Sequence, residues 1–178
     1  MQHWPNAELL VGAADTANLT KLGVRTAPTR LLRGGDRVGS LTVIDTPGHS
    51  PGHVAYLDER DGMLYSGDTF ANVPRLLVAS VLHAIFPLPT FGTHDPAQTT
   101  RAARALLDVP LRTLATGHGP AIQGPLPAMR RAVQEAGSGR EPGVVTRVAA
   151  GWVAHLTRLS TDGAVAGKAL AYRDNRPS

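Results

Sequence analysis

Apolar residues in the first hundred positions come in short runs broken by glycine, proline and aspartate, the spacing of strands with tight connections. AELLVGAAD (7–15) predicts a short buried strand, and TANLTKLG (16–23) a turn or two of helix ending at Gly23. RLLRGGDRVG (30–39) predicts a strand running into a glycine-rich turn, and LTVIDT (41–46) a strand of alternating β-branched residues. HVAYLD (53–58) and MLYSGD (63–68) predict two more strands joined by ERDG, where Asp61-Gly62 is a hairpin-turn signal. The long apolar stretch NVPRLLVASVLHAIF (72–86) predicts a helix, and PLPTFGTH (87–94) a loop.

A helical spacing takes over from residue 95. Asp95 and Pro96 are suited to the N-cap and first position of a helix carried by AQTTRAARALLD (97–108). LRTLAT (111–116) predicts a further strand, GHGP (117–120) a turn, and LPAMRRAVQEA (126–136) a helix. GSGREPG (137–143) has the composition of a linker. Beyond it Val145, Val148, Ala149, Trp152, Val153, Leu156 and Leu159 form an amphipathic stripe. The expected organisation is an α/β domain over 1–137 and a helical extension over 138–178. That extension is expected to dock on the domain or on a second subunit, so a homo-oligomer is an open expectation.

The 178 residues, 42% hydrophobic and 18% charged, suit one soluble domain with a tail. There is no cysteine, so any metal must sit on histidine and carboxylate ligands. The first residues have neither the basic start nor the apolar core of a leader, and the longest apolar run, 76–89, is too short and broken to span a bilayer. A cytoplasmic protein is expected. The net charge of +4 is uneven: 7 basic and 9 acidic groups in 1–100, against 11 and 5 in 101–178. The basic residues of the second part are scattered without interleaved aromatics, which is a solvated surface rather than a nucleic-acid site, and no membrane partner is expected.

His49 and His53 stand four apart, yet Pro47, Gly48, Pro51 and Gly52 forbid a shared helical face and put both on a tight loop at a strand end. Asp68 follows a strand behind Gly67, and His118 follows another between two glycines. Singly, these residues read as loop histidines and a turn or cap aspartate. Together they place His, Asp and His at strand C-terminal ends, the donor set a divalent cation such as zinc takes when no thiolate is present.

GGDRVGSLTVIDTPGHSPGH (34–53), LYSGDTF (64–70) and LATGHGPAI (114–122), in this order, resemble the metallo-beta-lactamase superfamily of hydrolases, especially its glyoxalase II-like branch, over roughly residues 5–125. The resemblance implies an αββα sandwich. It also implies that His49 is a ligand of a first metal, His118 of a second, and Asp68 bridges them as the residue on which catalysis depends. His53 is implied to be a supporting residue. The implied cofactor is zinc, one or two ions, whose bound water is deprotonated near neutral pH and attacks an ester, thioester, lactone or similar small substrate.

The family's H-x-H-x-D-H motif is absent. No two of His3, His49, His53, His83, His94, His118 and His155 are separated by a single residue, and Asp95 in THDP is better explained as a helix cap. MQHWPNAELLVGAAD looks like the segment that should follow that motif, so the fold is expected to be N-terminally incomplete, with apolar sheet surface uncovered. Three ligands divided between two metals give neither a full set. Two other readings therefore stand beside the hydrolase: a truncated non-catalytic scaffold or interaction module, and a nucleic-acid-processing relative using the basic C-terminal half. Residues 71–94 and the tail after Gly137 are the candidates for substrate contact; Arg75, His83 and His94 are open either to that role or to an ordinary surface or packing role.

Overall fold

The computed structural model describes residues 6–21, 23–82, 86 and 88–138. Among these residues the strands are β1 (Leu10–Gly12), β2 (Arg30–Leu32), β3 (Arg37–Val38), β4 (Leu41–Asp45), β5 (Val54–Asp58), β6 (Met63–Tyr65), β7 (Phe70–Asn72), β8 (Leu76–Val78), β9 (Thr113–Ala115) and β10 (Ile122–Gln123). The helices are α1 (Thr16–Lys21), α2 (Leu88–Gly92), α3 (Pro96–Ala105) and α4 (Leu126–Gly137). Six strands form one sheet in the order β10-β9-β6-β5-β4-β3, while β1 pairs with β2 and β7 with β8.

The core follows from register. Leu57 on β5 stands opposite Leu64 on β6, which stands opposite Leu114 on β9, so one apolar row crosses three strands on one face. All three are buried, and they join Met129, Ala132 and Val133 of α4, Ala103 of α3, and Leu76 and Val78 of β8 in a single cluster. Each fully buried leucine contributes about 1.5–3 kcal/mol by removal from water. On the opposite face Tyr65, across from Tyr56, is exposed.

The ERDG turn forms as its sequence indicates, with Gly62 at φ +72° and its N–H donating to Asp58 O. The α3 start also matches: the Asp95 carboxylate accepts from Gln98 N at 2.8 Å, and Pro96 occupies the first turn.

The helix expected over 72–86 is not what forms. Residues 70–78 make an antiparallel hairpin, Phe70 opposite Val78 and Asn72 opposite Leu76, turning through the cis Val73–Pro74 bond. Pro74 lacks the N–H a helix interior needs, and Leu76, Leu77 and Val78 are all buried. A continuous apolar run is the pattern of a strand covered on both faces as well as of a buried helix. The expected loop over 87–94 contains α2. The strand expected over 7–15 shrinks to β1, which is only half-buried apart from Gly12, and gives way to a 3-10 turn at Ala13–Asp15. The extension over 138–178 lies, except for Ser138, outside the described residues, as do His3, His83 and His155. Among the described residues no helix is long and apolar enough to cross a membrane.

Candidate metal centre

Because β4 and β6 each run antiparallel to β5, and β9 runs parallel to β6, the C-terminal ends of β4, β6 and β9 lie at one edge of the sheet. His49, Asp68 and His118 follow those three ends.

The loop carrying His49 is held from several sides. Thr46 N donates to His53 O at 3.0 Å, closing its base, and the Asp15 carboxylate accepts from Gly52 N at 3.0 Å and from the Ser50 hydroxyl. Gly48 has φ +137°, and a Cβ there would lie 2.3 Å from Thr99 N, so the loop rests on the first turn of α3 as only glycine allows. His94 N and Asp95 N donate to the carbonyls of His49 and Gly48. Asp68 sits on the 3-10 turn Gly67–Thr69. The backbone at His118 is tied to β7, its carbonyl accepting from Asn72 N at 2.8 Å and from the Thr116 hydroxyl at 2.7 Å.

The Asp68 carboxylate lies between the two imidazoles. His49 Nε2 is 3.3 Å from Asp68 Oδ2, and His118 Nε2 is 3.5 Å from Asp68 Oδ1. Charge-assisted N–H···O bonds run at about 2.7–2.9 Å, so both separations are long for direct ion pairs. They match the spacing of about 3.4 Å expected between two donors bound at about 2.0–2.1 Å to one tetrahedral ion. The donor set thus fits a carboxylate shared by two metal ions, with one imidazole each. Among the described residues no three His, Cys, Asp or Glu side chains group around one ion.

His53 is engaged otherwise. Its Nδ1 lies 2.8 Å from the Thr46 hydroxyl and 3.2 Å from Thr46 O, while Nε2 accepts from Asp68 N at 3.1 Å. The backbone N–H can only donate, so Nε2 carries the lone pair and Nδ1 the proton. Burial pushes the His53 pKa below its ordinary value, and the neighbouring His49 adds to the shift while Asp68 opposes it. His53 is a neutral brace that ties the histidine loop to the Asp68 turn.

Two residues gave no sequence signal. Asp15 grips the loop from 35 and 37 positions away, and the Thr93 hydroxyl lies 3.2 Å from His49 Nδ1 across 44 positions. Arg75 is committed to a two-pronged ion pair with Glu135, both contacts 2.8 Å, and the His94 side chain is exposed.

The family model of the metallo-beta-lactamase superfamily matches residues 2–118, which include the whole of this constellation. The chain belongs to the metallo-beta-lactamase superfamily. The fold is accordingly the metallo-beta-lactamase α/β fold, and the superfamily is one of metal-dependent hydrolases. A relative in Bacillus subtilis (strain 168), the uncharacterized protein YobT, is 39% identical over 116 residues, covering 65% of this chain and 50% of its own. The hydroxyacylglutathione hydrolase of Methylobacillus flagellatus is 67% identical over 30 residues, 17% of this chain and 11% of that protein. Among solved structures, the di-iron-bound form of TTHA1623 is 26% identical with a TM-score of 0.50, covering 73% of this chain and 65% of that one. The chain thus spans at most half the length of these two curated relatives.

Proposed function

We propose that His49, Asp68 and His118 are this chain's contribution to a two-metal hydrolytic centre acting on a small ester, thioester or lactone. The observation carrying the reading is the Asp68 carboxylate, with one oxygen facing each imidazole at 3.3 and 3.5 Å. When bound, divalent ions supply an activated water and polarise a carbonyl oxygen. The protein's part is to hold the carboxylate between the imidazoles, through the His53 brace on Asp68 N and the Asp15 grip on the loop. Zinc suits the histidine and carboxylate donors; the di-iron form of TTHA1623 makes iron the competing metal. The short match to a hydroxyacylglutathione hydrolase favours a glyoxalase II-like thioester substrate.

A second reading, a scaffold without turnover, is favoured by the missing third ligand for either ion among the described residues, since catalytic zinc ordinarily takes three protein ligands. Elemental analysis of zinc and iron in the dialysed 178-residue protein and in Asp68→Ala, beside hydrolysis of a hydroxyacylglutathione, a simple ester and a lactone, separates the two. Metal retained by wild type and lost in the variant, with turnover above the variant's, supports the hydrolase. No retained metal and no turnover difference leaves the scaffold.

A further inference from the structure

We infer that Thr93 is a positioning residue that fixes the tautomer of His49 and so presents Nε2 to a metal ion; the inference rests on the metal-centre reading and deepens it. The Thr93 hydroxyl lies 2.7 Å from Pro89 O, one turn earlier at α2, and 3.2 Å from His49 Nδ1. A carbonyl oxygen can only accept, so the single hydroxyl proton goes to Pro89 O. The oxygen is left as an acceptor, and His49 Nδ1 must donate to it. The Thr93 contact thus favours Nδ1–H with the lone pair on Nε2, against the Asp68 carboxylate, an acceptor that faces Nε2 at 3.3 Å and favours Nε2–H where no cation lies between them.

The surroundings hold this arrangement. A Cβ on Gly92 would lie 3.1 Å from His49 Cε1, so the end of α2 lies against the edge of the ring. His94 N donates to His49 O at 3.0 Å and Asp95 N to Gly48 O at 2.8 Å, locking the Thr93 segment to the histidine loop. Without the hydroxyl the Thr93 contact no longer favours Nδ1–H while the Asp68 carboxylate still favours Nε2–H, and the tautomer protonated on Nε2 cannot bind metal there.

The test compares wild type, Thr93→Val and Thr93→Ser with ¹⁵N-labelled histidine. Ring-nitrogen shifts of His49, assigned by their loss in His49→Gln, report the tautomer in metal-free protein, and zinc titration against a competing chelator reports affinity. The expected result is an Nδ1–H tautomer in wild type and Thr93→Ser, a mixed or Nε2–H tautomer in Thr93→Val, and zinc affinity lower by about 10–100-fold in Thr93→Val alone. An Nε2–H tautomer in wild type, or an unchanged tautomer in a folded Thr93→Val, overturns the inference. If wild type binds no zinc while the tautomer still shifts in Thr93→Val, the positioning role stands and the metal-centre reading fails. Should Thr93→Val unfold, the wild-type and Thr93→Ser spectra decide.

Discussion

Replacing Gly117 by alanine puts a methyl group where the Asp68 carboxylate now sits. A Cβ built there lies 2.0 Å from Asp68 Oδ1 and 3.1 Å from Asp68 Cγ, with Gly67 C at 3.2 Å. Contacts of this kind need about 3.4 Å, so Oδ1 must retreat by more than about 1 Å. Metal–ligand distances tolerate only about 0.2 Å, and a shared carboxylate displaced by several times that amount no longer bridges. Zinc affinity should fall at least about tenfold. The fold should be affected much less, because Gly117 is not in the left-handed region, so alanine meets no backbone strain there. The obstructing atom belongs to a side chain 28% exposed, which can swing toward water. A loss near the bottom of the usual overpacking range, about 1 kcal/mol, is expected.

Gly119, two residues on, is the control. Its φ is +93°, and a Cβ would lie 2.0 Å from Asn72 O and 2.7 Å from Asn72 C, which is backbone of β7 and cannot rotate away. Left-handed strain of about 1–2 kcal/mol adds to overpacking of about 1–3 kcal/mol, so Gly119→Ala should cost more than about 2 kcal/mol. Urea unfolding and zinc titration of both variants read the two effects separately. Wild-type zinc affinity in Gly117→Ala, or a greater stability loss there than in Gly119→Ala, would refute the reasoning.

Two further outcomes follow from the same contacts. His53→Ala strands Asp68 N–H and the Thr46 hydroxyl in a half-buried place and should cost about 1–3 kcal/mol; a urea-unfolding difference below about 0.5 kcal/mol would mean that water replaces the imidazole. Asp58 is held at about 2 by the Arg60 guanidinium, which hydrogen-bonds both carboxylate oxygens, against about 3.9 in an unfolded chain. Its folded value is the lower one, so its contribution to stability is full above about pH 4 and is lost as pH falls through about 2. The stability gap between wild type and Asp58→Asn should therefore narrow over that window, and a gap constant from pH 5 to pH 2 would count against the pairing.

What could be read from the chain was whatever chemistry is written in neighbouring residues. Pro47, Gly48, Pro51 and Gly52 mark a rigid loop, Gly67 precedes Asp68, glycines flank His118, and Asp95-Pro96 marks a helix start; each feature is present where expected. The run at 72–86 misled because unbroken apolarity has no period, and the one discriminating residue, Pro74, lay near its beginning. Thr93 and Asp15 were illegible for a different reason: each acts on the histidine loop from 35 or more positions away, through a contact that exists only once the chain has folded.

Spacing along the chain does not say whether the three candidate ligands would surround one ion or straddle two, a question on which the strand order bears. The sheet runs β9-β6-β5-β4, so the strand preceding Asp68 lies between the strands preceding His118 and His49. Neighbouring strands stand about 4.8 Å apart, which separates the ends of β9 and β4 by about 14 Å. The loops narrow that gap, but β6, lying between them, leads to the carboxylate, which has two oxygens, and β9 and β4 each lead to one imidazole. On the two-metal reading proposed above, a bridging Asp68 follows from the strand order. On that reading, a one-metal site would require moving a histidine across the sheet edge, which no single side-chain substitution does.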